Sequence, residues 1–174
     1  MSHLLRLFNR HPLVGNMLLT GSLFALGDGL AQGAEEKVFS PKRMFLNGVY
    51  GGIVFAPIAH PLYQVLGRIH VRGSTLLSGA ARTLVDQTLW APVGVALYLA
   101  WVGAWDGGAA GAAARVRELW WGTLLANWAV WPILQGVNFT VVPPRARLAV
   151  SALAGVLWNG YLSWRAHSLR RTDK

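Results

Sequence analysis

Long apolar blocks separated by short basic stretches dominate the chain. Crossing the hydrocarbon core of a bilayer takes about 20 mostly apolar residues in a helix, and four blocks, at 13–31, 44–66, 83–105 and 148–164, approach or exceed that length. His11-Pro12 opens the first block, a position where proline is tolerated because the missing N–H would have had no helical partner. Glu35-Glu36-Lys37 closes it. The second follows Lys42-Arg43 and contains Pro57 and Pro61, which predict a kink. The third lies between Arg82 and Asp106, after which Gly107, Gly108, Gly111 and a run of alanines predict a flexible connector. A further apolar stretch, 119–142, is free of charge but holds Asn127, Pro132, Gln135 and Asn138, and is expected to be kinked or partly re-entrant. Pro143-Pro144 ends it, and the basic residues after Trp164 suit the C-terminal end of the last helix. The predicted fold is all-α: one integral membrane domain, a helical bundle with about four transmembrane helices plus the 119–142 segment.

Composition agrees. The 174 residues are 53% hydrophobic and 13% charged, with a mean hydropathy of +0.37, too apolar for an ordinary soluble domain. The net charge of +9 sits largely in the basic stretches between apolar blocks, which predicts attraction to anionic lipid head groups. Direct nucleic-acid binding is not expected, since no Lys/Arg block is interleaved with base-stacking aromatics. The absence of cysteine excludes disulfides and thiolate chemistry. Ahead of Asp28, the first acidic residue, Arg6, Arg10, His3 and His11 stand among leucines, a pattern with some likeness to mitochondrial targeting chemistry; no cleaved secretory signal is expected. Most tryptophans, Trp105, Trp121 and Trp164 among them, fall towards block ends, where indoles favour the head-group boundary.

Polar side chains inside apolar blocks are the candidates for function. An aspartate at the centre of a spanning helix costs roughly 2.5 to 3.5 kcal/mol on insertion scales, so Asp28 and Asp86 need partners. Gln32 shares a helix face with Asp28, and Gln87 adjoins Asp86. Lys42, Arg43, Arg82 and Arg147 are the candidate cations, as carboxylate partners or at the mouth of a path. Asn127, Trp131, Gln135 and Asn138 recur at helical spacing, forming a stripe that must face protein or water; it serves either interhelical hydrogen bonding or a pore lining. His60 and Gln64, one turn apart and close to the two prolines, are a further pair. Small residues recur every four, at Gly21, Ala25 and Gly29, at Gly48 and Gly52, and at Ser151 and Gly155; they suit a tight bundle or a homo-oligomer equally. No nucleophile elbow, phosphate loop, dinucleotide fingerprint or zinc spacing appears, so neither an enzyme nor a cofactor or metal site is expected. An intramembrane protease would require Asp28 and Asp86 to share a proton.

Several strings carry a resemblance: Gly27-Asp28 with Gln32, Asp86-Gln87 with Pro92, Asn127-Trp128, Trp131-Pro132, Asn138-Phe139, Arg147-Leu148-Ala149-Val150, and Trp158-Asn159-Gly160-Tyr161-Leu162-Ser163-Trp164. Together they resemble the twenty-two-kilodalton peroxisomal membrane protein family, and its mitochondrial inner-membrane branch most. The chain departs from the family pattern at Ala56-Pro57, at Leu62-Tyr63 and around Ser40 to Arg43. The resemblance implies a four-helix membrane protein acting as a channel or pore for small solutes. In the mitochondrial branch this is linked to nucleotide supply and maintenance of mitochondrial DNA. The peroxisomal membrane is the alternative location, and a non-conducting scaffold or assembly factor the alternative function. Asn159 joins the polar candidates.

Overall fold

The computed structural model describes residues 11–35, 38–141 and 147–167; the side chains of Asn138 and Arg147 lie outside the described residues. The helices are α1 (Pro12–Ala34), α2 (Pro41–Val49), a π-helical segment (Tyr50–Phe55), α3 (Ala56–Gly67), α4 (Thr75–Val85), a second π-helical segment (Asp86–Trp90), α5 (Ala91–Thr140) and α6 (Arg147–His167). No strand occurs among the described residues. Among the described residues, three stretches are long and apolar enough to cross a membrane: Pro12–Ala34, Pro41–Gly67 and the 60-residue Leu76–Gln135, the last of which is interrupted by a bend.

Burial is inverted relative to a water-soluble protein. On α1 the buried set includes Asp28 and Gln32, whereas Leu18, Leu26 and Leu30 are each more than half exposed. On the second half of α5, Thr123 and Asn127 are buried while Leu125, Ile133 and Val137 face outwards. Lipid imposes this arrangement, because a side chain needing hydrogen bonds finds them only inside the protein.

Local chemistry fixes the helix starts and the two π-helical segments. Ser40 and Ser74 cap α2 and α4, their hydroxyls accepting from the N–H groups of Arg43 and Leu77 at 3.3 and 3.1 Å. Each π segment ends in an aromatic residue followed by Ala-Pro: Phe55-Ala56-Pro57 and Trp90-Ala91-Pro92. In each, the alanine N–H bonds to the carbonyl five residues back, Gly51 and Asp86 respectively. The wider turn is how these helices accommodate a proline whose ring would clash with the carbonyl four residues earlier. The bend expected of Pro57 is thus preceded by a π segment, and Pro61 lies within α3.

The chain forms two compact units. The first comprises residues 1–64 and 155–164. Its α1 and α2 approach closely: a Cβ on Gly21 would stand 2.9 Å from the Gly48 carbonyl oxygen, and one on Gly51 would stand 2.7 Å from the Phe24 ring. The four-residue glycine spacing is therefore used within the chain here. Phe24, Tyr50 and Phe55 stack around this contact, with centroids 5.3 Å apart for Phe24–Tyr50 and 5.5 Å for Phe24–Phe55.

The second unit comprises residues 65–154 and 165–174. Here α5 doubles back at Gly107 (φ −155°, ψ 29°) and Gly108 (φ 60°, ψ −148°), the latter a conformation almost reserved for glycine. The connector expected over Gly107 to Gly111 and the alanines shrinks to these two residues, the alanines being helical. Contacts confirm an antiparallel hairpin, since partners separate progressively: Gly103 with Gly111, Pro92 with Trp120, Gln87 with Trp128 and Thr83 with Gln135. Asp106 and Arg115 pair across the bend at 2.6 Å. Tyr98, Leu99 and Leu124 form the buried core between the arms.

A Cβ on Gly103 would clash with the Gly111 carbonyl oxygen and lie 2.8 Å from the Ala112 Cα. Gly103→Val should therefore cost about 1 to 3 kcal/mol or more by overpacking, seen as a lower thermal unfolding midpoint in detergent. Gly79→Ala, with nothing within 4 Å, should instead raise that midpoint, since alanine is favoured over glycine in a helix by about 1 kcal/mol.

Candidate functional site

The first unit holds the wholly buried Asp28 in a network of donors. Its Oδ1 accepts from Arg43 Nε at 2.7 Å and from Ser163 Oγ; its Oδ2 accepts from Gln32 Nε2 at 2.7 Å. The other side of the Arg43 guanidinium donates to both oxygens of Glu35, each at 3.0 Å, and its Nη2 also reaches Ser163 Oγ at 3.1 Å. Gln32 completes the arrangement, its Oε1 accepting from the Ser40 N–H at 2.6 Å. Of the three candidate cations whose side chains are described, Arg43 is the one that meets Asp28; Lys42 is exposed, and Arg82 donates to the Ile69 carbonyl at 3.0 Å in the second unit.

This geometry depends on Gly27. A Cβ there would lie 2.7 Å from both Asn159 Cβ and the Gly160 nitrogen, so only glycine lets α6 come close enough for Ser163 to touch Asp28. Asn159 is itself buried at this contact. Glu35 and Ser163 were not singled out from sequence. Glu35 has the appearance of a helix-ending surface acid, and a lone serine gives no pairing signal.

A second feature of this unit is a pocket of about 420 Å³ lined by Asn16, Thr20, Phe55, Ala59, His60 and Gln64 among others. The His60 nitrogens Nδ1 and Nε2 lie 2.6 Å from the Asn16 amide and 2.9 Å from the Gln64 amide. Both contacts are made by amide nitrogens, Asn16 Nδ2 and Gln64 Nε2, which can only donate, whereas a neutral imidazole accepts at one nitrogen alone; which ring nitrogen is the acceptor depends on the tautomer. The His60–Gln64 pair is brought together as its spacing suggested, and Asn16 joins it from α1.

In the second unit the polar candidates gather along the hairpin. Because the Ala91 N–H bonds to the Asp86 carbonyl and Pro92 has no N–H, the Gln87 carbonyl loses its usual helical donor. Trp128 Nε1 supplies one at 2.9 Å, and Trp120 Nε1 likewise donates to the Pro92 carbonyl at 2.9 Å. Gln87 Nε2 donates to Asp86 Oδ2 at 3.2 Å, and Thr83 Oγ1 to Gln135 Oε1 at 2.8 Å. Asn127 is buried on the stripe; Trp131 and Gln135 are half-buried along it. Two buried amide oxygens, Gln87 Oε1 and Asn127 Oδ1, have no hydrogen-bond partner among the described residues. No cluster of three metal-ligating side chains is found among the described residues.

Comparison with known proteins gives a consistent result. Residues 103–163 match the family model described as the Mpv17 / PMP22 family. The chain is 34% identical to protein SYM1 of Saccharomyces cerevisiae over 175 aligned residues, covering 95% of this chain and 89% of the relative. It is 37% identical to protein SYM1 of Eremothecium gossypii, covering 88% of each chain. Against protein sym-1 of Neurospora crassa it is 34% identical, covering 88% of this chain and 91% of the relative. No solved structure matches.

Breaking a buried ion pair by removing one partner typically costs about 3 to 5 kcal/mol. Asp28→Asn should fall at or just below the lower end, because Arg43 keeps Glu35. Unfolding in detergent should show the loss, and a double-mutant cycle with Arg43→Gln should return a coupling on the order of 1 kcal/mol or more. Additive single effects would mean that the pair holds nothing together.

Proposed function

The chain belongs to the Mpv17 / PMP22 family of membrane proteins, and from that premise we propose that it is a passive channel for small, anionic solutes in the mitochondrial inner membrane. Through nucleotide supply it would serve maintenance of mitochondrial DNA, as the resemblance to the family's mitochondrial branch implies. The peroxisomal membrane is the alternative address. The proposal assigns the protein no catalytic step.

One observation carries the reading. Gln87 Oε1 and Asn127 Oδ1 are buried in apolar helices without a protein donor among the described residues. Leaving such an acceptor dry costs about 1 to 3 kcal/mol, whereas a water-filled path satisfies it. Both atoms belong to the hairpin of the second unit, one in its π-helical segment and one on the Asn127–Gln135 stripe. π-Helical turns are frequent at functional sites. Basic residues near the helix ends favour anions by raising their local concentration.

The network around Asp28 favours a second reading, a non-conducting scaffold. There every polar group described is engaged by another, as packing requires and conduction does not. The two readings divide the polar residues: Asp28, Arg43 and Glu35 hold the first unit together, while Gln87 and Asn127 are the lining candidates.

Reconstitution of the pure protein into planar bilayers separates them. The channel reading expects discrete conductance with a reversal potential set by the anion gradient, lowered by Gln87→Leu or Asn127→Leu. Asp28→Asn should leave the reversal potential where it was. A folded, monodisperse preparation that passes no current at any voltage would establish the scaffold instead.

A further inference from the structure

The turn between α3 and α4, residues 68–74, is tightly built for a surface loop. The N–H groups of Arg68 and Ile69 donate to the carbonyls of Val65 and Leu66 at 3.0 Å each, and that of Ser74 to Val71 at 3.3 Å. Ser78 Oγ accepts from the Val71 N–H at 2.9 Å and donates to the Ser74 carbonyl at 2.8 Å. Arg82 Nε reaches back from α4 to the Ile69 carbonyl at 3.0 Å. Gly73, at φ +82°, makes the reversal that these bonds enclose.

This fixed backbone displays Arg68, His70 and Arg72, all exposed and with no side-chain partner among the described residues. The Arg82 guanidinium adds a fourth basic group, anchored through Nε alone in the bonds described above. No acidic residue stands anywhere from 37 to 85, so nothing in this part of the chain opposes them. Directly beside the turn, Leu76 and Leu77 on the first turn of α4 are 73% and 56% exposed, and Val65 at the end of α3 is 57% exposed. Positive charge thus meets bare aliphatic surface at the end of a membrane helix, the profile of the head-group boundary.

We infer that the α3–α4 turn binds the phosphate of an anionic phospholipid, with the acyl chains lying along Leu76 and Leu77. Guanidinium groups suit phosphate because their planar fork can donate two parallel hydrogen bonds. A loop already ordered by its own hydrogen bonds loses little freedom on binding. A zwitterionic lipid offers the same apolar surface but no net negative charge, so the site should discriminate by head group. The exposed leucines favour a lipid over a soluble phosphate, which would gain nothing from them. The inference is independent of whether the protein conducts.

The test uses the full chain purified in detergent micelles doped with equal phosphatidylglycerol and phosphatidylcholine, with retained lipid counted by native mass spectrometry. Phosphatidylglycerol should be retained in preference, and Arg68→Gln with Arg72→Gln should reduce that preference on the order of tenfold. Arg68→Lys with Arg72→Lys should keep most of it, and Arg117→Gln, an exposed arginine elsewhere, should keep it all. Equal retention of the two lipids by the unmodified chain, or a preference that survives the double glutamine change, overturns the assignment. So does displacement of the lipid by inorganic phosphate but not by chloride at equal ionic strength, which would reassign the site to soluble anions. Were the glutamine variant to lose monodispersity, the head-group comparison on the unmodified and lysine forms still decides.

Discussion

A carboxylate placed in an apolar helix has to be met by donors, and in the first unit most of the local architecture follows from meeting that demand at Asp28. Arg43 can reach it only because Ser40 caps α2 and so fixes where the guanidinium starts. Ser40 in turn is held by Gln32, one turn from Asp28 on α1. Ser163 arrives from α6 through the space Gly27 leaves. The start of α2 and the approach of α6 to Gly27 are thus tied to one buried charge. Removing the charge from water is costly, and the cost is offset only if all these parts are in place together.

The second unit meets the same solvent problem with neutral groups beside its charged ones. Its bend takes two glycines, and its arms are joined by indole N–H groups donating to backbone carbonyls at Gln87 and Pro92. Tryptophan therefore has two roles here. Trp121 and Trp105 are exposed as boundary rings would be, whereas Trp90 is buried and Trp120 turns its indole inwards. An ion pair between Arg115 and Asp106 closes the bend.

Much of the framework was legible in the sequence. Apolar block length predicted the helices, and the Asp28–Gln32 and His60–Gln64 spacings predicted pairs that the structure forms. What spacing could not do was choose among distant partners. Arg43 stood level with Lys42, Arg82 and Arg147, and the deciding contacts involve residues as far apart as Asp28 and Ser163. Gln135 was visible on its stripe, but Thr83, 52 residues away, was not visible as its partner. Glycines predict a linker after Asp106, but the alanines beyond Gly108 are the strongest helix formers available, and the helix, with Arg115 on it, follows from them. Asn16, a single amide near the start of α1, carries no periodic signal that would mark it as a partner of His60.

The twin π-helical segments have a consequence for how this chain can vary in length. Each contains one residue more than an α-helical turn needs, so the faces before and after it are out of phase by roughly 100°. A pattern fitted through 44–66 as a single helix must misplace one half of it. A deletion of one residue within Tyr50–Phe55 or Asp86–Trp90 would rewind the turn and rotate everything after it, moving side chains from the protein interior towards acyl chains without altering the composition at all. Length at these two places is thus as strictly specified as residue identity is at Gly27.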